Sequence, residues 1–195
     1  RTNQPGKGEP FEGRRHRPAG SDAVLWRHDA NPAIGRNPAP GAARVFNSAV
    51  VPWEEGFLGV FRCDLTRGGF HLRLGRSRDG LDWELDTDPI TFASTAHPND
   101  ETVANGYDPR VVKIEDDFFI TWCAYVAGGP TIAVAKTRDF KTFERLDHAF
   151  LPSNRNGVLF PRKINGNYVM LSRPSDQGHT PFGEIHLSES PDLVY

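Results

Sequence analysis

Cysteine is nearly absent: Cys63 and Cys123 are the only two in 195 residues. Two thiols cannot build a disulfide framework, and their separation has no metal-ligand spacing. Long apolar runs are missing as well. No stretch approaches the ~20 residues needed to cross a bilayer, so no membrane partner is expected. Neither sign of charge is in excess, since 23 Lys and Arg face 25 Asp and Glu for a formal net charge of −2. That balance lends no support to nucleic acid as a partner. No basic-then-apolar signal segment opens the chain, and with so little cysteine the reducing cytoplasm is the expected location. There is no glycine-rich phosphate loop, no serine elbow and no paired Cys/His metal site. Neither a metal nor an organic cofactor is therefore expected. Long periodic stretches free of Gly and Pro, which helices would need, are also lacking.

What the chain does contain is 19 Gly, 16 Pro, 13 Phe and 4 Trp. That composition points to many short strands joined by tight turns. With 37% hydrophobic and 25% charged residues, the mix is that of a soluble globular domain large enough for a sizeable core. The strands repeat. Val50–Arg62 (VVPWEEGFLGVFR), Arg110–Trp122 (RVVKIEDDFFITW) and Phe160–Leu171 (FPRKINGNYVML) each read as an apolar strand, a polar turn and an aromatic-led strand. After each comes a second matching piece: Leu72–Trp83 (LRLGRSRDGLDW), Ile132–Phe143 (IAVAKTRDFKTF) and Ile185–Tyr195 (IHLSESPDLVY). Units of four strands at this spacing are the signature of β-propeller blades. Tyr195 falls opposite Trp83 and Phe143, so the third blade is expected to stop before its last strand. The expected architecture is all-β: an incomplete propeller of under three blades over residues 31–195. Leu72, Leu74 and Leu187 are expected on faces left open to water. Residues 1–30, richer in arginine, read as an N-terminal leader segment.

Ligand sites in propellers line the central channel. Polar residues set in or beside apolar strands are therefore the ones to weigh, because an unpaired buried polar group is costly. Asn47 and Ser48 precede an apolar strand, where they would serve equally well as its turn. Arg62 and Asp64 follow Leu58–Phe61 at a strand end, as a site pair or a surface ion pair. Tyr107 and Asp108 lie in Gly106-Tyr107-Asp108-Pro109-Arg110, where an aspartate before proline can act as an acid or only cap a turn. From Ser153 to Gly183 come Asn154-Arg155-Asn156-Gly157, Arg162-Lys163, Arg173-Pro174 and Gly178-His179, cations and amides on loops suited to an oxyanion. The Asp79 and Asp139 turns recur from blade to blade, which marks them as turn structure rather than catalysis.

The strings ARVFNSAVVP, GYDPRVVKIEDDFFITWC, PSNRNGVLFPRKING and RPSDQGHTPFGEIHLSESPD resemble those of glycoside hydrolase family 130, five-bladed propeller enzymes acting on β-mannosides. The likeness runs from Asn31 to Asp192. It implies an inverting phosphorylase, in which inorganic phosphate attacks the anomeric carbon of a terminal β-mannoside and releases α-mannose 1-phosphate. Asp108 matches the family's general acid, which protonates the leaving oxygen through the 3-hydroxyl of the mannose. Asn47, Ser48, Arg62, Asp64 and Tyr107 match the mannose-holding positions, and Arg155, Lys163 and His179 the phosphate cradle. The implied partners are a β-mannoside or mannooligosaccharide and inorganic phosphate as co-substrate, with a homo-oligomer expected at full length. The alternatives are a β-mannosidase of the same fold and a non-catalytic sugar-binding propeller fragment. An inverting hydrolase needs a second carboxylate to activate water. Phosphate is already an anionic nucleophile and needs fixed positive charge instead, which Arg155 and His179 would supply.

Overall fold

The computed structural model describes residues 19–28, 30–92, 106–175 and 183–194. Among these there are eleven strands and no helix. The first sheet is β1 (Ala42–Trp53), β2 (Gly56–Leu65), β3 (Phe70–Ser77) and β4 (Glu84–Leu85). The second repeats that order with β5 (Gly106–Ile114), β6 (Asp117–Val126), β7 (Gly129–Thr137) and β8 (Glu144–Arg145). The third holds β9 (Asn154–Leu159), β10 (Tyr168–Pro174) and β11 (His186–Ser190). Every pair is antiparallel between sequence neighbours. These are propeller blades, two with four strands and one with three, and they do not close into a ring. The expected all-β architecture holds.

Two turns recur in each blade. The hairpin joining the first two strands turns through Glu54-Glu55, Glu115-Asp116 or Asn165-Gly166, and the leading residue has positive φ each time (50°, 57° and 52°). Beyond the third strand comes a Ser/Thr-x-Asp turn. In the second blade Thr137 Oγ1 accepts from the Asp139 and Phe140 amides, while Asp139 Oδ1 accepts from the Lys141 and Thr142 amides. Ser77 with Asp79 and Ser190 with Asp192 repeat this arrangement. The residue after the aspartate is left-handed in all three: Gly80, Phe140 and Leu193 (φ 76°, 52° and 67°). The expectation that these aspartates are structural is borne out by the backbone amides they hold.

The period of two along each strand sorts side chains between neighbouring blades. On β6, Phe118, Ile120, Trp122 and Ala124 pack with Leu58, Val60, Leu72 and Leu74 of the first blade. The alternate residue Phe119 packs with Leu159 and Met170 of the third. Hence β6 is apolar on both faces and buried along most of its length. Leu72 and Leu74, expected at an open face, are 1% and 5% exposed because they point toward the second blade. The first blade's other face carries Phe61 and Cys63, which Ile34, Ala39 and Trp83 cover. Leu187 on β11 is 59% exposed, as expected, and Ile185 just ahead of that strand is 71% exposed. The leader expectation for residues 1–30 falls mostly outside the described residues.

Phe140 ties a strained turn to the interblade core: it is 1% exposed at positive φ and meets Trp53 edge-on at 4.9 Å between ring centroids. Phe140→Ala should lower unfolding stability by about 3–5 kcal/mol in chemical denaturation, and Phe140→Gly should recover part of that loss by relieving the backbone. Asp139 gives a pH signature. Amide hydrogen bonds from Thr142 and Lys141 hold its carboxyl at about 2, below the ordinary 3.8. Its folded value is depressed, so its contribution is complete above pH 4 and drains away as pH falls toward 2. Asp139→Asn should flatten the stability–pH curve across that window.

Candidate active site

The first strands of the three blades, β1, β5 and β9, lie side by side and each carries a β-bulge. Asn47-Ser48 stand opposite Phe61, Asp108-Pro109 opposite Trp122, and Asn156-Gly157 opposite Ser172. The leading residue of every bulge is left-handed: Asn47 (φ 36°), Asp108 (φ 54°) and Asn156 (φ 65°). Asn and Asp are the non-glycine residues that best tolerate this region, and a bulge re-aims the side chain it carries. Pro109 is tolerated because a bulged residue need not donate to the ladder. Thus Asn47, Ser48 and Asp108, read from sequence as preceding their strands, lie within them. Asn154–Leu159, read as loop, is strand β9, because the bulge breaks the alternation that would have revealed it.

Asp108 is the meeting point. Asn47 Nδ2 donates to Asp108 Oδ1 at 2.7 Å, and Arg62 Nη1 lies 3.4 Å from the same oxygen. Among the described residues both contacts fall on Oδ1, so a proton carried by this carboxyl belongs on Oδ2. Arg62 Nε donates to Asp64 Oδ1 at 3.0 Å, and Arg44 Nε lies 3.7 Å from Asp64 Oδ2. The Arg62 guanidinium also stands 5.5 Å from the Phe46 ring centroid, 5.1 Å from Phe70 and 5.5 Å from Tyr107. Three rings and two carboxylates therefore fix its position, with cation–π attraction adding to charge. Ser48 is exposed and donates to the Phe46 carbonyl at 3.3 Å. A cleft of about 440 Å³ beside the cluster is lined by Arg36, Asn37, Arg44, Asp64 and Phe70. The wider groove along Trp53, Phe57, Asp79 and Trp83 holds none of these side chains.

The third blade brings Arg155, whose Nη1 donates to Tyr107 Oη at 3.2 Å across the blade boundary. Tyr107 is 8% exposed; burial, with Cys123 and Tyr125 around its hydroxyl, pushes its ionisation well up. Burial likewise raises the Cys123 thiol to about 11. The Tyr107 hydrogen bond raises Arg155, keeping it cationic. Asn154 Oδ1, Arg155 Nε and Asn156 Oδ1 are buried without hydrogen-bond partners among the described residues. Such a run of unpaired buried polar atoms in consecutive residues is uncommon in a folded protein.

The structure does not bring Lys163 to this cluster. Its ammonium pairs with Glu115 at 3.3 Å and lies over the Tyr168 ring, at the hairpin end of the blades. Glu115 is seven residues beyond Asp108 along β5, roughly 20 Å away at strand spacing. The expectation failed because Lys163 follows β9 at its far end, whereas Arg155 stands at its near end. His179 lies outside the described residues. Asn156, read from sequence among the loop amides suited to an oxyanion, stands at a bulge like Asn47 and Asp108. Phe70 had no signal in the sequence; only its pairing opposite Asp64 places it beside Arg62.

These propeller blades thus gather two aspartates, arginines, a tyrosine and amides into one polar cluster. The family model for glycoside hydrolase family 130, described as beta-1,4-mannooligosaccharide phosphorylase, matches residues 16–195. The chain belongs to that family. It is 52% identical over 184 residues to beta-1,4-mannooligosaccharide phosphorylase of Ruminococcus albus, covering 92% of this chain and 55% of that protein. A second relative, beta-1,2-mannobiose phosphorylase of Listeria innocua, is 34% identical over 124 residues, 63% of this chain and 33% of the relative. The solved structure of a Listeria innocua beta-1,2-mannobiose phosphorylase with beta-1,2-mannobiose superposes at TM-score 0.72 and 22% identity, over 86% of this chain and 63% of that one. The fold is thus that of the five-bladed family propeller, represented here by three blades. The chain spans about half the length of the Ruminococcus relative.

Gly106 sets the approach to the acid. A Cβ there would sit 2.2 Å from Trp122 Cδ1, and Trp122 is 2% exposed in the interblade core. Gly106→Ala should therefore cost about 1–3 kcal/mol of stability by overpacking. A crystal structure of the variant should show Trp122 displaced and the Tyr107-Asp108 bulge shifted with it.

Proposed function

We propose that this chain carries the mannoside- and phosphate-facing wall of an inverting β-mannoside phosphorylase. The observation supporting it most directly is the charge arrangement at the bulges. Among the described residues Asp108 has contacts on Oδ1 alone, whereas Asp64 is held by Arg62 and Arg44 and is poorly placed to act as a base toward water. Arg155, cationic and with its buried Nε–H unpaired among the described residues, offers a donor to an anion. In this reading Asn47, Ser48, Arg62 and Asp64 hold the terminal mannose, with the Tyr107 ring shaping their seat. Arg155 holds inorganic phosphate, and His179 joins it. A phosphate oxygen attacks C1, the glycosidic C–O bond breaks, and the Asp108 proton passes by way of the 3-hydroxyl to the leaving oxygen. The product is α-mannose 1-phosphate. Phosphate is a co-substrate, and the reaction needs no cofactor. The 52% identical Ruminococcus relative, named for this activity on mannooligosaccharides, supports the same reading.

The test uses the full-length protein and β-1,4-mannobiose. Cleavage should require inorganic phosphate and release α-mannose 1-phosphate. Asp108→Asn should lower kcat/KM by at least ~10², the usual scale for a general acid, with the melting temperature unchanged. Equal cleavage rates with and without phosphate would identify a hydrolase and overturn the proposal.

A further inference from the structure

Tyr107 touches both Arg62 and Arg155. Arg62 of the first blade stacks on its ring, with 5.5 Å from guanidinium carbon to ring centroid. Arg155 of the third blade donates to its hydroxyl at 3.2 Å. The ring is held in turn by Phe70, edge-on at 5.3 Å, and by Tyr125 at 5.6 Å. Directly across the ladder from Tyr107 stands Cys123, 1% exposed. Such a ring has no room to turn.

A phenol oxygen has two lone pairs and one proton. Arg155 takes a lone pair. The Cys123 sulfur and the Tyr125 hydroxyl, the oxygen's other hydrogen-bonding neighbours, are where its proton can go. The hydroxyl is thereby consumed inside the protein, and at 8% exposure little of the side chain is left to meet a sugar. Arg155, by contrast, spends Nη1 on Tyr107 and keeps a buried Nε–H without an acceptor among the described residues. An arginine held by one end, with donors unspent at the other, is preorganised for an anion.

We infer that Tyr107 is a positioning residue with two separable duties: its hydroxyl orients Arg155 toward phosphate, and its ring orients Arg62 toward the mannoside. This rests on the reading of Arg155 as the phosphate-holding arginine, and it reassigns the Tyr107 hydroxyl from the sugar to the anion.

Calorimetric titration of the full-length protein with inorganic phosphate and, separately, with β-1,4-mannobiose tests the split. Tyr107→Phe keeps the ring and removes the hydroxyl, so phosphate affinity should fall about 10-fold, the lower end of the scale of one hydrogen bond to a charged group. Mannobiose affinity should stay within about twofold. Tyr107→Leu removes both duties and should weaken both ligands. Tyr125→Phe, a milder change at the hydroxyl's other neighbour, should weaken phosphate alone by a smaller factor. Arg155→Met should weaken phosphate about 10- to 150-fold, and adding Tyr107→Phe to it should cause no further loss, because the two residues act as one unit. Weaker mannobiose binding in Tyr107→Phe, or unchanged phosphate binding in both phenylalanine variants, would overturn the inference while leaving the phosphate seat intact. Unchanged phosphate binding in Arg155→Met would instead remove the seat itself, and the inference with it.

Discussion

Each inner strand of this protein carries one residue more than its partner can pair, and the chemistry depends on that surplus. A regular strand would send alternate side chains into the two interblade cores, where a carboxylate or amide has no partner. At the bulge the backbone swings through the left-handed region at Asn47, Asp108 and Asn156, and a polar side chain leaves the apolar alternation. The strand continues past it in register, so Val111 and Val51 still reach the core. Repetition does the rest: three neighbouring blades with the same bulge bring three polar side chains onto adjacent strands.

What these side chains can do is set by who shares them. Asp108 is linked to the first blade through Asn47 and Arg62, while Tyr107, one residue earlier, is linked to the third through Arg155. The centre therefore spans three sheets and is correct only when all three stack correctly. Stacking is a matter of apolar burial, dominated by the β6 side chains that face both ways. A partly exposed ion pair such as Arg62–Asp108 contributes little stability alone. Its value lies in fixing donors and acceptors in place, which the rings of Phe46, Phe70 and Tyr107 reinforce.

At the far end of the blades the same repetition serves structure only. The Ser/Thr-x-Asp turns satisfy backbone amides that would otherwise be orphaned where the third strand ends. They hold Phe140 against Trp53 and Phe118. Two acidic residues with identical local chemistry, Asp79 and Asp139, are thus turn makers, whereas Asp108 stands at a bulge beside a guanidinium.

Much of this was legible in the amino-acid order. Period-two alternation, the Gly and Pro spacing and the twofold hairpin pattern specify blades because they are local properties of strands and turns. The site strings specify the family. Facing could not be read that way. Whether Leu72 and Leu74 met water or the second blade depended on which side of the sheet its neighbour stacks, a relation between residues far apart in sequence. Lys163 looked like a further cation beside Arg155, yet β9 runs on from Arg155 before the chain reaches Lys163, which stands at the hairpin end of the blade with Glu115 and Tyr168. The contact between Arg155 and Tyr107 joins residues 48 apart, and only the packing of one blade on the next brings a guanidinium to that hydroxyl.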